Sequence, residues 1–253
     1  MSDAATRVEK RIEIRTGEDR SDFGVCVGLQ RAIWGYAEID TVPDQMFVVA
    51  KKTGGQVLLA LDGEKAVGFA LAFIALKDSR VYLHSHMVGV LGEYRDRGVG
   101  RLLKLSQRED ALARRIDLIE WTFDPLQLKN ARFNIARLGA IVRHYIPNLY
   151  GRTSSPLHAG LPTDRLVAEW WVRSSRAENA VTNSPALLAR GQVEHIAIPA
   201  DIRKLCETHR QVAAEIQSGV RARFEQLIAA GYAATGFELN EKEGAYLLEP
   251  YED

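Results

Sequence analysis

Residues 93–101 read Glu-Tyr-Arg-Asp-Arg-Gly-Val-Gly-Arg, and this stretch with its flanks decides the fold. Gly98 and Gly100 let backbone N–H groups converge, and Arg95, Arg97 and Arg101 place formal charge around them. The helical pattern that follows adds the partial positive charge of a helix start, which completes an anion cradle. Two familiar phosphate loops do not fit. A P-loop needs Lys-Ser or Lys-Thr after its last glycine, and neither follows Gly100. The dinucleotide fingerprint GxGxxG fails at its third glycine, where Leu103 stands.

Working outward, Leu102, Leu105, Leu112 and Ile116 recur with helical period, while Arg101, Lys104, Arg108 and Arg115 line another side. Upstream, three β-rich runs (56–61, 66–76 and 80–90) are separated by Asp62-Gly63-Glu64 and Lys77-Asp78-Ser79, the pattern of an antiparallel meander. Before them come an alternating strand (11–15), a helix over 19–34 stopped by Gly35, and a short helix from Pro43 to Gly54-Gly55. Downstream the spacing predicts a strand (117–123), a helix (126–138) ended by Gly139, a strand (140–146), a Pro/Gly/Ser-rich loop (147–163) and a strand (166–172). Residues 174–191 read as a linker. A strand (193–198) then leads into a helical stretch (201–230) with Leu205, Val212, Ile216, Val220, Phe224 and Leu227 on one stripe and a break expected at Ser218-Gly219. Residues 232–239 and 245–248 read as a hairpin.

Arg95-x-x-Gly98-x-Gly100 meets the pattern [RQ]-x-x-G-x-[GA] of the acyl-CoA loop in the GNAT superfamily of N-acetyltransferases. With the meander before it and helix, strand, helix, strand after it, the chain resembles that superfamily over roughly residues 11–173. The whole pattern resembles an uncharacterised bacterial branch. The resemblance implies an α+β fold with a mixed, mostly antiparallel central sheet flanked by helices. An acyltransferase domain would span 1–175, and a C-terminal α/β extension of strand, helix and hairpin (176–253) would pack on it. It implies acetyl-CoA or another acyl-CoA, such as succinyl-CoA, as co-substrate, no metal, and an amine as acceptor. The amides of Arg97, Gly98, Val99, Gly100 and Arg101 would hold the CoA pyrophosphate beside Arg95. Strand backbone at Val88 and Val90 would pair with the pantetheine arm and polarise the thioester carbonyl. Asn130 would add a contact to CoA.

The acceptor amine must lose a proton before it attacks, so a base near neutral pKa helps and the leaving thiolate benefits from an acid. Relatives often carry Glu eleven residues before the loop's first Arg or Gln; here that position is His84. Strict alternation places His84, His86, Val88 and Val90 on one face, which makes both imidazoles candidates, with an ordinary pKa near 6.5. The same residues equally suit packed core histidines. The family's usual acid, a Tyr four residues before the closing Gly, is replaced by Ile135, which leaves Tyr145 as the nearest candidate or water in its stead. The acceptor wall implied by the resemblance lies in 30–47, with Trp34, Tyr36 and Phe47; Phe47 fits core packing as well.

The chain has 253 residues, with 33 Lys+Arg against 33 Asp+Glu. This neutral balance argues against a nucleic-acid coat or a polybasic membrane binder. The zero is a cancellation: no acid occurs between Asp124 and Asp164, while residues 238–253 are acidic. Cys26 and Cys206 lack metal-ligand or disulfide-framework spacing, and no apolar run reaches membrane-span length. The expectation is therefore a cytoplasmic N-acyltransferase acting on a small-molecule amine such as an amino acid. Its extension would cover the acceptor site or build a homodimer. The alternatives are a CoA-binding regulatory protein without turnover and a protein N-acetyltransferase.

Overall fold

The structure, a computed structural model, describes residues 12–151, 160–184 and 192–251. Arg11, residues 152–159 of the expected loop, 185–191 of the expected linker, and 252–253 of the acidic end lie outside the described residues. Two compact units emerge, 1–119 and 120–253. Residue 175, the expected limit of the acyltransferase domain, falls inside the second.

The first unit has strands β1 (Ile12–Thr16), β2 (Gln56–Asp62), β3 (Lys65–Lys77) and β4 (Arg80–Val90) side by side in that order, all antiparallel. Helices α1 (Arg20–Trp34) and α2 (Asp44–Lys52) join β1 to β2. Asp19 caps α1 by accepting from the Ser21 and Asp22 amides, and Gly35, in the left-handed region, ends it. The two faces of the sheet separate as the two-residue period requires. Val57, Leu59, Phe69 and Leu71 pack with Phe23, Cys26, Leu29, Phe47 and Ala50 of α1 and α2. Leu58, Ala60 and Ala70 face Val99 and Leu103 of helix α3 (Val99–Ala113).

The second unit contains β5 (Leu118–Phe123), α4 (Leu128–Ala131), β6 (Ile141–Ile146), β7 (Arg165–Trp171) and α5 (Ser175–Val181). After these come β8 (Glu194–Pro199), α6 (Ile202–Thr208), α7 (Arg210–Ala229), β9 (Tyr232–Leu239) and β10 (Glu243–Pro250). Its strand order is β5-β7-β6-β9-β10-β8. The tail thus continues the sheet: β9 pairs with β6 at Val142↔Ala234, and β10 lies between β9 and β8. Tyr246, fully buried among Phe224 and Phe237, donates its hydroxyl to the Pro125 carbonyl at 2.8 Å, which fastens β10 to the start of α4.

Four expectations need correction. The helix expected over 126–138 is one α turn followed by a π turn, Arg132–Arg137, closed by Leu138 N–H to Phe133 C=O. Gly139 ends it at φ +75, where a Cβ would also lie 2.6 Å from the Arg176 carbonyl, so both backbone and space require glycine. The expected linker contains α5, which Ser174 caps by accepting from the Ala177 amide. The C-terminal helix breaks at His209 (φ −138, ψ 61), not at Ser218-Gly219. That break shifts the helical phase: Ala213, Gln217, Val220, Phe224 and Leu227 are buried, and Val212 stands exposed.

Gly219 is exposed in the middle of α7 with nothing within 4 Å of a Cβ built on it. Gly219→Ala is therefore expected to raise stability by about 0.5–1 kcal/mol, measured by urea unfolding, through helix propensity and a less flexible unfolded chain.

Candidate active site

The site grows from the end of β4. Tyr94 donates its hydroxyl to Asp62 at 2.9 Å, and its ring centre lies 5.3 Å from the Lys65 ammonium and 5.5 Å from the Arg97 guanidinium. Arg95 donates from Nε to the Val90 carbonyl (3.2 Å) and from Nη2 to the Ile33 carbonyl (3.1 Å). The motif's first arginine thus ties the loop to β4 and to the last turn of α1, a tethering role that its charge alone did not announce. Asp96 (φ +58) and Gly98 (φ +85) are both left-handed, so the backbone folds back twice before α3 begins.

No side chain caps the start of α3, and its first turn carries no acid. Asp19 and Ser174 serve α1 and α5 in that way, whereas α7 shares with α3 a first turn that has neither cap nor acid. The amides of Val99, Gly100 and Arg101 therefore begin a helix whose positive end has no side-chain cap and no acid in its first turn. Gly100 adds to this. It is helical, and a Cβ there would meet only Val90 Cγ2, at 4.0 Å. Alanine would suit the helix better by about 1 kcal/mol. Nothing in the fold calls for glycine at 100; a ligand lying against the backbone would. The cradle fits a phosphate-bearing group.

β4 departs from simple alternation. Its register with β3 runs Ala70↔Val88, Leu71↔Met87, then Ala72↔Ser85, Phe73↔His84, so a bulge falls at His86. His84 shares a face with its partner Phe73, and His86 meets the same ring at 5.7 Å. Phe73 packs with the α1/α2 core, whereas Val88 and Val90 pack on the α3 side. The two imidazoles do share a face, 6.1 Å apart, but it is opposite to that of Val88 and Val90, contrary to the expected alternation. On the imidazole face Trp34 stacks on Tyr36 (5.3 Å) and meets Phe69 edge-on, and a Cβ on Gly89 would strike the Trp34 ring at 2.8 Å. His84, His86, Trp34 and Tyr36 thus belong to one side of the sheet.

Burial, with smaller contributions from His86 and Lys104, pushes the His84 imidazole down to about 4. Desolvation lowers His86 too. His84 is thus neutral at physiological pH but a weaker base than an ordinary imidazole. The unfolded chain binds a proton at His84 below about pH 6.5 that the folded chain refuses until about pH 4. Stability from this group is therefore present above pH 6.5 and lost as pH falls towards 4, by about 3 kcal/mol in all. His84→Gln is expected to flatten the melting temperature between pH 4 and 6.5; an unchanged slope would show that the imidazole is not held neutral.

Two assignments change. Phe47 is fully buried against Phe23 and Phe69, a core residue rather than an acceptor wall. Tyr145, in the second unit, donates its hydroxyl to Asp164 at 2.6 Å, and burial and that carboxylate raise its pKa, which opposes a role as acid. Asn130 keeps an exposed position on α4, where it donates to Gln127 at 2.6 Å. One positioning residue escaped sequence reading: buried Gln30 donates to the Val42 carbonyl (2.9 Å) and accepts from its amide (2.8 Å), which fixes the connection between α1 and α2. Glutamine in a helix gives no sequence signal for such a clamp.

No family model matches the chain, and no curated protein does. Solved structures do. The ribosomal-protein-S18-alanine N-acetyltransferase from Escherichia coli has 13% identity and a TM-score of 0.52 over 65% of this chain and 96% of its own. Salmonella typhimurium yncA, with its cofactor acetyl-CoA, has 17% identity and 0.52 over 65% and 96%. Arabidopsis thaliana NAA60 in complex with acetyl-CoA has 15% identity and 0.52 over 63% and 99%. An acetyltransferase of the GNAT family from Desulfovibrio desulfuricans matches at the same TM-score. Among the described residues there is no cluster able to hold a metal ion, and no helix is long and apolar enough to cross a membrane.

Proposed function

The chain carries the fold of the GNAT N-acetyltransferases, and on that footing we propose that it is an acyl-CoA-dependent N-acyltransferase acting on a small-molecule amine. The observation that carries this reading is the uncapped start of α3 with its glycine at 100. The amides of Gly98, Val99, Gly100 and Arg101 hold the CoA pyrophosphate, with Arg97 beside it and Arg95 keeping the loop in place. Bound acyl-CoA supplies the activated acyl group. The backbone of Val88 and Val90 lines the pantetheine arm, while the imidazole face with Trp34 and Tyr36 receives the acceptor. His84, neutral above about pH 5, accepts the proton that the amine gives up. Its depressed pKa means that kcat/KM shows no break at 6.5 from this group, and that any loss through its protonation comes near pH 4. Residues 1–175 form the acyltransferase portion and 176–253 its extension.

The test is thiol release from acetyl- and succinyl-CoA against an amine panel, with the product mass recorded. Amine-dependent release with an acylated amine supports the reading; binding without release leaves a CoA-binding protein without turnover. Ile135, buried at the usual acid position, and the weakened basicity of His84 favour that second reading.

A further inference from the structure

Beneath β4, on the face opposite the imidazoles, lies a buried polar chain that the proposed reaction does not use. Lys104 of α3, 3% exposed, donates from Nζ to Ser85 Oγ at 2.9 Å. Ser85 donates in turn to Gln107 Oε1 at 3.0 Å. Gln56 of β2 donates to the Gln107 carbonyl (3.1 Å) and to Asp110, so β2, β4 and α3 are tied through side chains. The position of Ser85 matters. It stands between His84 and His86, directly at the register shift of β4 against β3.

We propose that Ser85, Lys104 and Gln107 are positioning residues for the two imidazoles: they hold the bulge at which β4 turns both rings to the acceptor face. A bulge leaves one residue outside the ladder, so its backbone is less determined by strand pairing than its neighbours. Ser85 is the side chain beside it that reaches through to the opposite layer, and its hydroxyl is gripped from two successive turns of α3. Lys104 and Gln107 are three apart and lie on one helix face. The chain is also costly. Lys104 loses nearly all contact with water, burial drives its pKa well down, and Gln56 Oε1 and Gln107 Nε2 have no partner among the described residues. Replacing both partners of a buried hydrogen bond by apolar groups of the same shape can be nearly neutral for stability. Polar groups kept here at a cost fit a demand for one backbone geometry rather than for stability alone.

The inference rests on His84 and His86 facing the reaction, so its test reads their geometry separately from activity. The imidazole resonances are followed by NMR in the full chain, alongside kcat and the KM for acetyl-CoA. Ser85→Ala is expected to move both imidazole signals and to lower kcat about 10- to 100-fold, with the KM for acetyl-CoA unchanged. Gln107→Met, near in volume, uncharged like the residue it replaces and unable to accept from Ser85, gives the same pattern and serves if Ser85→Ala does not fold. Unmoved imidazole signals overturn the proposal, whatever happens to kcat. Moved signals with unchanged kcat uphold the positioning and remove the histidines from the reaction.

Discussion

Gly100→Glu is expected to destroy acyl-CoA binding while making the protein slightly more stable. The two effects have separate physical origins. Position 100 is in the first turn of α3, where no acid stands and a Cβ meets only Val90 Cγ2 at 4.0 Å. A glutamate there gains helix propensity and complements the helix dipole, together about 1 kcal/mol, or a rise of about 2–4 °C in melting temperature. The same carboxylate fills the space over the amides and sets negative charge where the pyrophosphate would lie. We expect the Kd for acetyl-CoA to rise at least about 100-fold, an amount equal to about 3 kcal/mol. Gly98 is the poorer choice for this experiment. Its φ of +85 strains any other residue, so lost binding would be confounded with lost structure. Calorimetric titration with thermal unfolding separates the effects. Unchanged affinity in Gly100→Glu would remove the cradle from the account.

The second large effect concerns the second unit. Asp164 is fully buried and accepts four contacts: Arg221 through Nε (3.0 Å) and Nη2 (2.8 Å), the Tyr145 hydroxyl (2.6 Å), and the Asn148 amide (2.9 Å). These bonds join β6, the approach to β7, and α7 of the C-terminal extension. Asp164→Ala leaves a guanidinium two-thirds withdrawn from water without its carboxylate, and it removes the acceptor of the half-buried Tyr145 hydroxyl and of the Asn148 amide. Breaking a buried pair from one side costs about 3–5 kcal/mol. Denaturant unfolding is expected to show that loss, whereas an effect below about 1 kcal/mol would mean that the network is not what holds the extension.

The contrast between what the sequence disclosed and what it hid follows from the range of the forces involved. Gly98, Gly100 and the arginines around them announce an anion cradle because its chemistry is local: backbone freedom, a helix start and nearby charge. The meander is equally legible, since Asp62-Gly63 and Asp78-Ser79 mark its turns. The bulge at His86 is not, because neither glycine nor proline stands at it and the polar run His84-Ser85-His86 suits a regular strand as well as a bulged one. It is set by Ser85 reaching Lys104 and Gln107, nineteen and twenty-two residues away. Phe47, expected in the acceptor wall, belongs to the core for a related reason. Aromatic residues suit a binding wall or a core alike, and only burial decides. The acidic end found partners that charge arithmetic does not name: Glu249 pairs with Arg176 at 3.0 Å, outside the acid-free stretch.

The central claim, that the start of α3 is an acyl-CoA cradle, is tested most directly by titrating acetyl-CoA into the 15N-labelled chain and following individual backbone amides. The account predicts saturable shifts centred on Gly98, Val99, Gly100 and Arg101, with smaller changes at Val88 and Val90. Binding that leaves those four amides unmoved, or no binding at millimolar acetyl-CoA, would contradict it.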